Sequence, residues 1–311
     1  MYRLKPANQH YLWGGDNLIK DYHKVSDRLP LAETWELSTH PDGESMIEGI
    51  PLSEFLKQQG PDFLGKALKN QSDIPLLIKF IDGNAQLSIQ VHPGEEYAKL
   101  HEHDHGKTEM WIVLMAKPDS FIYFGLNRDM SKAELKAQLD QGILTQSLNR
   151  VPVKAGDVFF IEAGVIHAIG AGIVVLEIQQ RSNVTYRLDD FKRPDASGKL
   201  RPLHIKQAVE VSKLTKTDPS QSVLQPLDDG TGGWLLKSCA YFTVKKYCFD
   251  SELELPVNPE SFQCLTLVEG AAKITSNNNK LSLLKGDSVL LKAGEGPVSL
   301  WGSGELIVTS L

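Results

Sequence analysis

A chain of 311 residues with 41% hydrophobic content can bury a sizeable core, and its length gives room for two domains. A formal charge of −6 and the lack of any extended Lys/Arg tract argue against a phosphate-backbone binder, so no nucleic-acid partner is expected. No run of about 18 apolar residues predicts a membrane span, and Met1-Tyr2-Arg3-Leu4-Lys5-Pro6 carries no apolar signal region, so a cytoplasmic protein with no membrane partner is expected.

Residues 1–50 read as irregular with short strands; Trp35-Glu36-Leu37-Ser38 sits there among turn formers. Residues 53–70 read as helical, interrupted near Gly60-Pro61. From 74 to 125 the chain is strand-rich, with apolar runs at Ile74–Ile81 and Met110–Met115 suited to buried strands. Residues 130–146 switch to helical period. Ser131 is placed to cap that helix and Glu134 to complete a capping box. Strands resume at Val158–Ile161 and Ile173–Ile178, and a polar crossing, 192–202, reads as a linker into a short helix near 204–211.

The last third returns to short strands and contains an internal echo. Lys154-Ala155-Gly156-Asp157-Val158, continuing to Ala163-Gly164, matches Leu284-Lys285-Gly286-Asp287-Ser288, continuing to Ala293-Gly294. A constant offset predicts a duplicated β-unit, in which Pro297 stands where the first copy has His167. The whole reads as mainly β, with two small barrels or sandwiches and a few short helices. The expected division is a catalytic unit over 1–235 and a C-terminal β-unit without a metal site over 236–311. Cys239, Cys248 and Cys264 are odd in number and lack CxxC spacing, which predicts reduced thiols.

The chemistry concentrates in two stretches. Leu87-Ser88-Ile89-Gln90-Val91-His92 alternates, so Ser88, Gln90 and His92 share one strand face. Glu109 follows a loop, and His167 follows the tight Gly164 turn. Two imidazoles, a carboxylate and, through Gln90, an amide oxygen form a donor set that suits Zn²⁺. The loop His101-Glu102-His103-Asp104-His105 looks like a metal cluster as well. It lacks a strand scaffold to fix its geometry, so it reads as a solvated tip. Lys79, Ser88 and Lys107 lie near the candidate ligands and can hold a phosphate dianion. Arg187, in the polar stretch that begins at Glu177, can stabilise an oxyanion.

These residues resemble one family. The Gly156-Asp157 to His167 pattern is similar to the second signature motif of the cupin barrel, and Gln90-Val91-His92 with Glu109 is similar to a modified first motif. Leu87–Pro93, Lys107–Trp111, Glu162–Ala168, Ser182–Arg187 and Trp35–Pro41 together resemble type I phosphomannose isomerase in its short bacterial form. The resemblance implies cupin-like jelly rolls. It also implies a zinc-dependent aldose–ketose isomerase that interconverts mannose 6-phosphate and fructose 6-phosphate through an enediol, with one Zn²⁺ per chain and a sugar phosphate as its partner.

The resemblance maps zinc ligands onto Gln90, His92, Glu109 and His167, and the catalytic arginine onto Arg187. Its phosphate set maps onto Ser88, Lys107 and Lys79. Glu177, Lys107 and a metal-bound water remain candidates for the general base. Two other readings use the same residues: a sugar- or metal-binding cupin without turnover, and an Fe²⁺ dioxygenase on the two-His-one-carboxylate face. Nothing in the sequence sets an oligomeric state.

Overall fold

Strand alternation builds the catalytic part. In Leu76–Gly83, Glu109–Ala116 and Ile173–Gln180 every second side chain is apolar and faces outward: Ile78 and Phe80, Met110 and Ile112, Val174, Leu176 and Ile178 all join one core. The residues between them point the other way, and among these are Lys79, Glu109, Trp111 and Glu177. Such strands are buried on both faces, which explains why their sequences read as continuous apolar runs rather than clean alternation.

The computed structural model describes all 311 residues except Asn70, Ser72, Ala196, Gln221 and Asn278. A six-stranded antiparallel sheet runs in the order Val158–Ile161, Glu109–Ala116, Ile173–Gln180, Leu76–Gly83, Glu33–Leu37, Ala7–Gln9. A five-stranded sheet runs Leu148–Pro152, Phe121–Leu126, His167–Ile169, Ile89–Val91, Tyr186–Asp189. The two enclose a shared apolar layer in which Ile122, Phe124 and Ile169 meet Trp111, Phe159 and Val175. This is the mainly-β jelly-roll architecture the sequence predicts.

Helices cover the outer faces. Lys132–Gln141 and Ile205–Val211 lay Leu135 and Ala208 on the back of the five-stranded sheet, against Ile89, Val91 and Leu188. The capping box forms: Ser131 Oγ accepts from the Glu134 amide at 3.2 Å, and Glu134 Oε2 accepts from the Ser131 amide at 2.7 Å. The helix stops at Gly142 in the left-handed region (φ +68), and 144–147 continues only as a 3₁₀ turn. The helical stretch predicted over 53–70 breaks at Gly60, where the sequence places its interruption, and is shorter than expected beyond it. It spans Leu52–Gln59 and ends at Gly60, and only Lys66–Leu68 regains a 3₁₀ turn; Asn70 lies outside the described residues. No helix among the described residues is long and apolar enough to cross a membrane.

The third sheet has nine strands and includes all those from Gln225 onward. The first strand, Tyr2–Arg3, pairs with Ser288–Leu291 in it. Leu236, Val244, Cys264 and Ile307 from this sheet pack into the same core as Phe80 and Ile178. The sequence echo is visible in hydrogen bonds. Asp157 accepts from the Lys154 amide at 2.9 Å, and Asp287 accepts from the Leu284 amide at 2.8 Å. Ile161 pairs with Glu109 in one sheet, and its counterpart Leu291 pairs with Gln263 in the other. The second copy therefore carries Gln263 and Pro297 at the positions of Glu109 and His167.

Candidate active site

Three cross-strand rows converge between the facing sheets. On the five-stranded side, His167 pairs with Gln90, and Gln90 pairs with Arg187 on its other flank. His92 follows the same strand. On the six-stranded side, Glu177 sits between Lys79 and Trp111, and Glu109 pairs with Gln179. Glu109 thus faces His92 and His167 from the opposite sheet. The glycine turn before His167 locks the two histidine segments together, since the Gly164 amide donates to the His92 carbonyl at 2.8 Å. Gly164 has φ +88, and a Cβ there would meet the Val211 carbonyl at 2.9 Å, so only glycine makes this turn without strain.

His92 Nδ1 donates to the Val184 carbonyl at 2.8 Å, and His167 Nδ1 donates to the Val165 carbonyl at 2.9 Å. With the proton held on Nδ1, each Nε2 presents a lone pair inward. Burial pushes both imidazoles toward the neutral form, His167 down to about 4. Those lone pairs meet the Glu109 carboxylate, at 3.5 Å from His92 Nε2 and 3.2 Å from His167 Nε2. Acceptor against acceptor at that range, fully buried, calls for a cation between them, or in its absence a proton on the carboxyl. The spacing matches the edge of a tetrahedron with bonds of about 2.0 Å, near 3.3 Å.

The three residues offer ligand atoms all within 4.8 Å of one another, and His92 Nε2 and Glu109 Oε1 have no hydrogen-bond partner among the described residues. The donor set fits a metal ion. Gln90 Nε2 lies 3.4 Å from His167 Nε2, and a half-turn of the terminal amide exchanges that nitrogen for the oxygen.

Beside this triad lies a buried charge network. Lys107 Nζ is 2.9 Å from Glu109 and 3.7 Å from Glu177. Lys79 Nζ is 3.5 Å from Glu33 and 3.6 Å from Glu177, over the Trp35 ring at 4.6 Å. Two indole N–H groups orient the acids: Trp111 donates to Glu177 at 2.9 Å and Trp35 to Glu33 at 2.6 Å. Burial alone would strip Lys107 of its proton, but Glu109 and Glu177 hold it above the ordinary lysine value. Burial alone would raise Glu177, but Lys107 and Lys79 hold its carboxyl below the ordinary range. Glu109 goes the other way, raised by burial and by Glu177. Glu177 is thus held toward its ionised form, and its Oε1 is buried without a hydrogen-bond partner among the described residues.

A cleft of about 210 Å³ opens onto this network. Ser88, Gln90, Lys79, Lys107, Glu177 and Arg187 all line it.

Residues 1–114 match the phosphomannose isomerase type I catalytic domain, and residues 234–311 match the mannose-6-phosphate isomerase cupin domain. The mannose-6-phosphate isomerase ManA of Bacillus subtilis is 35% identical over 99% of this chain and 98% of its own length. The chain belongs to the type I phosphomannose isomerases. The mannose-6-phosphate isomerase of Streptococcus mutans is also 35% identical, over 90% of this chain and 88% of its own. The crystal structure of the Bacillus subtilis mannose 6-phosphate isomerase superposes with a TM-score of 0.92 at 29% identity, covering 100% of this chain and 99% of the other.

In this phosphomannose isomerase the histidine-rich loop stands apart from the triad. His101 and His103 are exposed, and His105 Nδ1 lies 3.0 Å from Glu95. Asp104 bonds back to Ser182 and the Asn183 amide, so the loop braces the cleft wall. Sequence reasoning missed several lining residues. Glu33 was findable, because it lies two residues before Trp35 on a strand and shares its face. Arg201 was not: it lies in the crossing read as a linker, and only the fold brings it to the cleft.

Proposed function

We propose that this phosphomannose isomerase interconverts mannose 6-phosphate and fructose 6-phosphate by moving a proton between C1 and C2 through an enediol, with zinc held by His92, Glu109, His167 and Gln90. The isomerase activity itself follows from family membership. The observation that carries the metal reading is the pair of inward imidazole lone pairs facing a buried carboxylate. Zinc bound there supplies a Lewis acid that polarises the sugar carbonyl.

The chain's own residues supply the rest. Glu177 is the better base among the candidates. Its carboxylate is ionised and lines the cleft, whereas Lys107 keeps its proton and is committed to two acids. Lys79 and Lys107 serve to keep Glu177 ionised rather than to hold the phosphate. Arg187 stands beside Gln90, with its Nε lacking a partner among the described residues, and is placed to stabilise negative charge on the sugar oxygens. The division at 235/236, with a C-terminal unit that lacks a metal site, belongs to the same proposal. So does a cytoplasmic location, supported by three cysteines that are all free.

Metal analysis of the purified protein combined with a coupled assay on mannose 6-phosphate tests the reading. The expected result is one zinc per chain and turnover that is lost on chelation and restored by zinc. Stoichiometric zinc with no turnover of this sugar would sink it.

A further inference from the structure

At the site end of the cleft neither lysine is free to take a phosphate dianion. Lys79 and Lys107 are 3% and 5% exposed and face the carboxylates of Glu33, Glu109 and Glu177. Lys107 also touches a metal-ligand carboxylate at 2.9 Å. In a hexose 6-phosphate the reacting carbons C1 and C2 lie at one end and the phosphate at the other. If C1 and C2 meet Glu177 and the triad, the phosphate belongs at the opposite end of the cleft.

The register of the five-stranded sheet orders that end. His92, Gln90 and Ser88 step outward along one face, at about 3.3 Å per residue, which places Ser88 ~13 Å from His92. The neighbouring strand runs antiparallel, with Tyr186 opposite Val91, Arg187 opposite Gln90 and Asp189 opposite Ile89. Asp190 therefore arrives beside Ser88. There it gathers two arginines from the following loop. Arg201 grips it with a fork, Nε to Oδ2 at 2.7 Å and Nη2 to Oδ1 at 2.5 Å. Arg193 Nη2 donates to Oδ1 at 2.6 Å, and its Nη1 donates to the Gln86 carbonyl at 2.5 Å. The loop is closed at its base, where the His204 amide donates to the Arg187 carbonyl at 2.8 Å and Arg187 Nη1 donates to the Pro202 carbonyl at 3.1 Å.

We infer that Arg201, aimed into the cleft by its fork with Asp190, seats the substrate's 6-phosphate together with Ser88. Arg201 lines the cleft, and its bonds to Asp190 run through Nε and Nη2. Two arginines share the Asp190 carboxylate and Arg187 stands beside them, so this end keeps net positive charge where the inner end has more acids than lysines. The guanidinium groups are near neighbours: after burial, Arg201 is the leading influence that lowers the pKa of Arg187. A planar fork held by Asp190 still presents donors toward a phosphate, which is a use of arginine that lysine does not reproduce. Asp190 is the positioning residue. Arg187, one step inward beside Gln90, is left for the reacting oxygens.

This inference rests on the isomerase reading, so the test separates the two. Kinetics are measured on metal-loaded native protein, Arg201→Ala and Arg201→Lys, with mannose 6-phosphate, with unphosphorylated mannose, and with inorganic phosphate as competitive inhibitor. Loss of charge-assisted bonds to a dianion predicts a KM for mannose 6-phosphate and a Ki for phosphate raised about 10- to 100-fold in Arg201→Ala, with kcat changed much less. The preference for the phosphorylated sugar over mannose, as a ratio of kcat/KM, falls by a similar factor. Arg201→Lys falls between. If KM and Ki stay at native values, or if both sugars lose kcat/KM equally, Arg201 only shapes the loop and the inference is overturned. If the native protein does not turn over mannose 6-phosphate, the isomerase reading fails by itself. Calorimetric titration of inorganic phosphate into native and Arg201→Ala protein then decides the anion site: weaker binding in the variant supports it, and equal binding removes it.

Discussion

Replacing Glu109 by Gln tests the buried triad through the stability of the metal-free chain. The Glu109 carboxylate is fully buried and faces two imidazole lone pairs at 3.2 and 3.5 Å. Without metal, burial first and Glu177 second raise its pKa above the 4.5 of a free glutamate. Above pH 4.5 the unfolded chain sheds this proton while the folded chain keeps it. The folded state therefore loses stability as pH rises, by about 1.4 kcal/mol per unit, until the raised pKa is reached. Gln has the shape of the protonated acid and does not titrate.

Metal-free Glu109→Gln should thus equal the metal-free native protein near pH 4.5 and exceed it by about 3 kcal/mol at pH 7. With metal the order reverses, because the amide is a weaker ligand than the carboxylate. Urea unfolding of chelator-treated proteins at pH 5 and pH 7, read beside metal content, measures both arms. If the metal-free variant is the less stable at pH 7, or if the gap does not widen with pH, Glu109 does not face neutral imidazoles in a dry pocket, and the case for the metal site collapses.

His167→Ala removes a ligand whose Nδ1 bond to Val165 fixes its aim; metal content and turnover should vanish together, and a variant that keeps stoichiometric metal would exclude His167 from the site. Arg187→Ala should keep its metal, because Arg187 contacts none of the three buried ligands, while kcat falls about 10²- to 10³-fold, as for the loss of one oxyanion donor; a rate within about threefold of native would remove Arg187 from the chemistry. His103→Ala should change neither metal content nor rate, since that ring is exposed; a large drop in metal would make the histidine loop a second site. Ser131→Ala removes an N-cap that accepts the Glu134 amide, and denaturant unfolding should show a loss of about 1 kcal/mol with kinetics unchanged.

Local physics made part of this protein legible in its sequence. The period of two in Leu87–His92 puts Ser88, Gln90 and His92 on one face, whatever the strand pairs with. The Gly164 turn and the Ser131–Glu134 box are also set by near neighbours. The break near Gly60-Pro61 in the helical stretch over 53–70 was legible from those two residue types, whereas beyond it only Lys66–Leu68 regains a 3₁₀ turn. The echo of Gly156-Asp157 in Gly286-Asp287 was readable, but the further change of Glu109 to Gln263 became visible only through the pairing of Ile161 and Leu291.

Tertiary structure decided the roles. Lys79, Glu177 and Trp111 lie far apart in sequence, and only the register of three strands sets them side by side. That register sets Lys79 and Lys107 against the buried acids Glu33, Glu109 and Glu177. The fold also brings Arg201, from the loop after the last strand of the five-stranded sheet, to the lining of the cleft. Composition and alternation fix which face a side chain takes; which charge it meets there depends on contacts between distant strands, and those exist only once the two sheets close on each other.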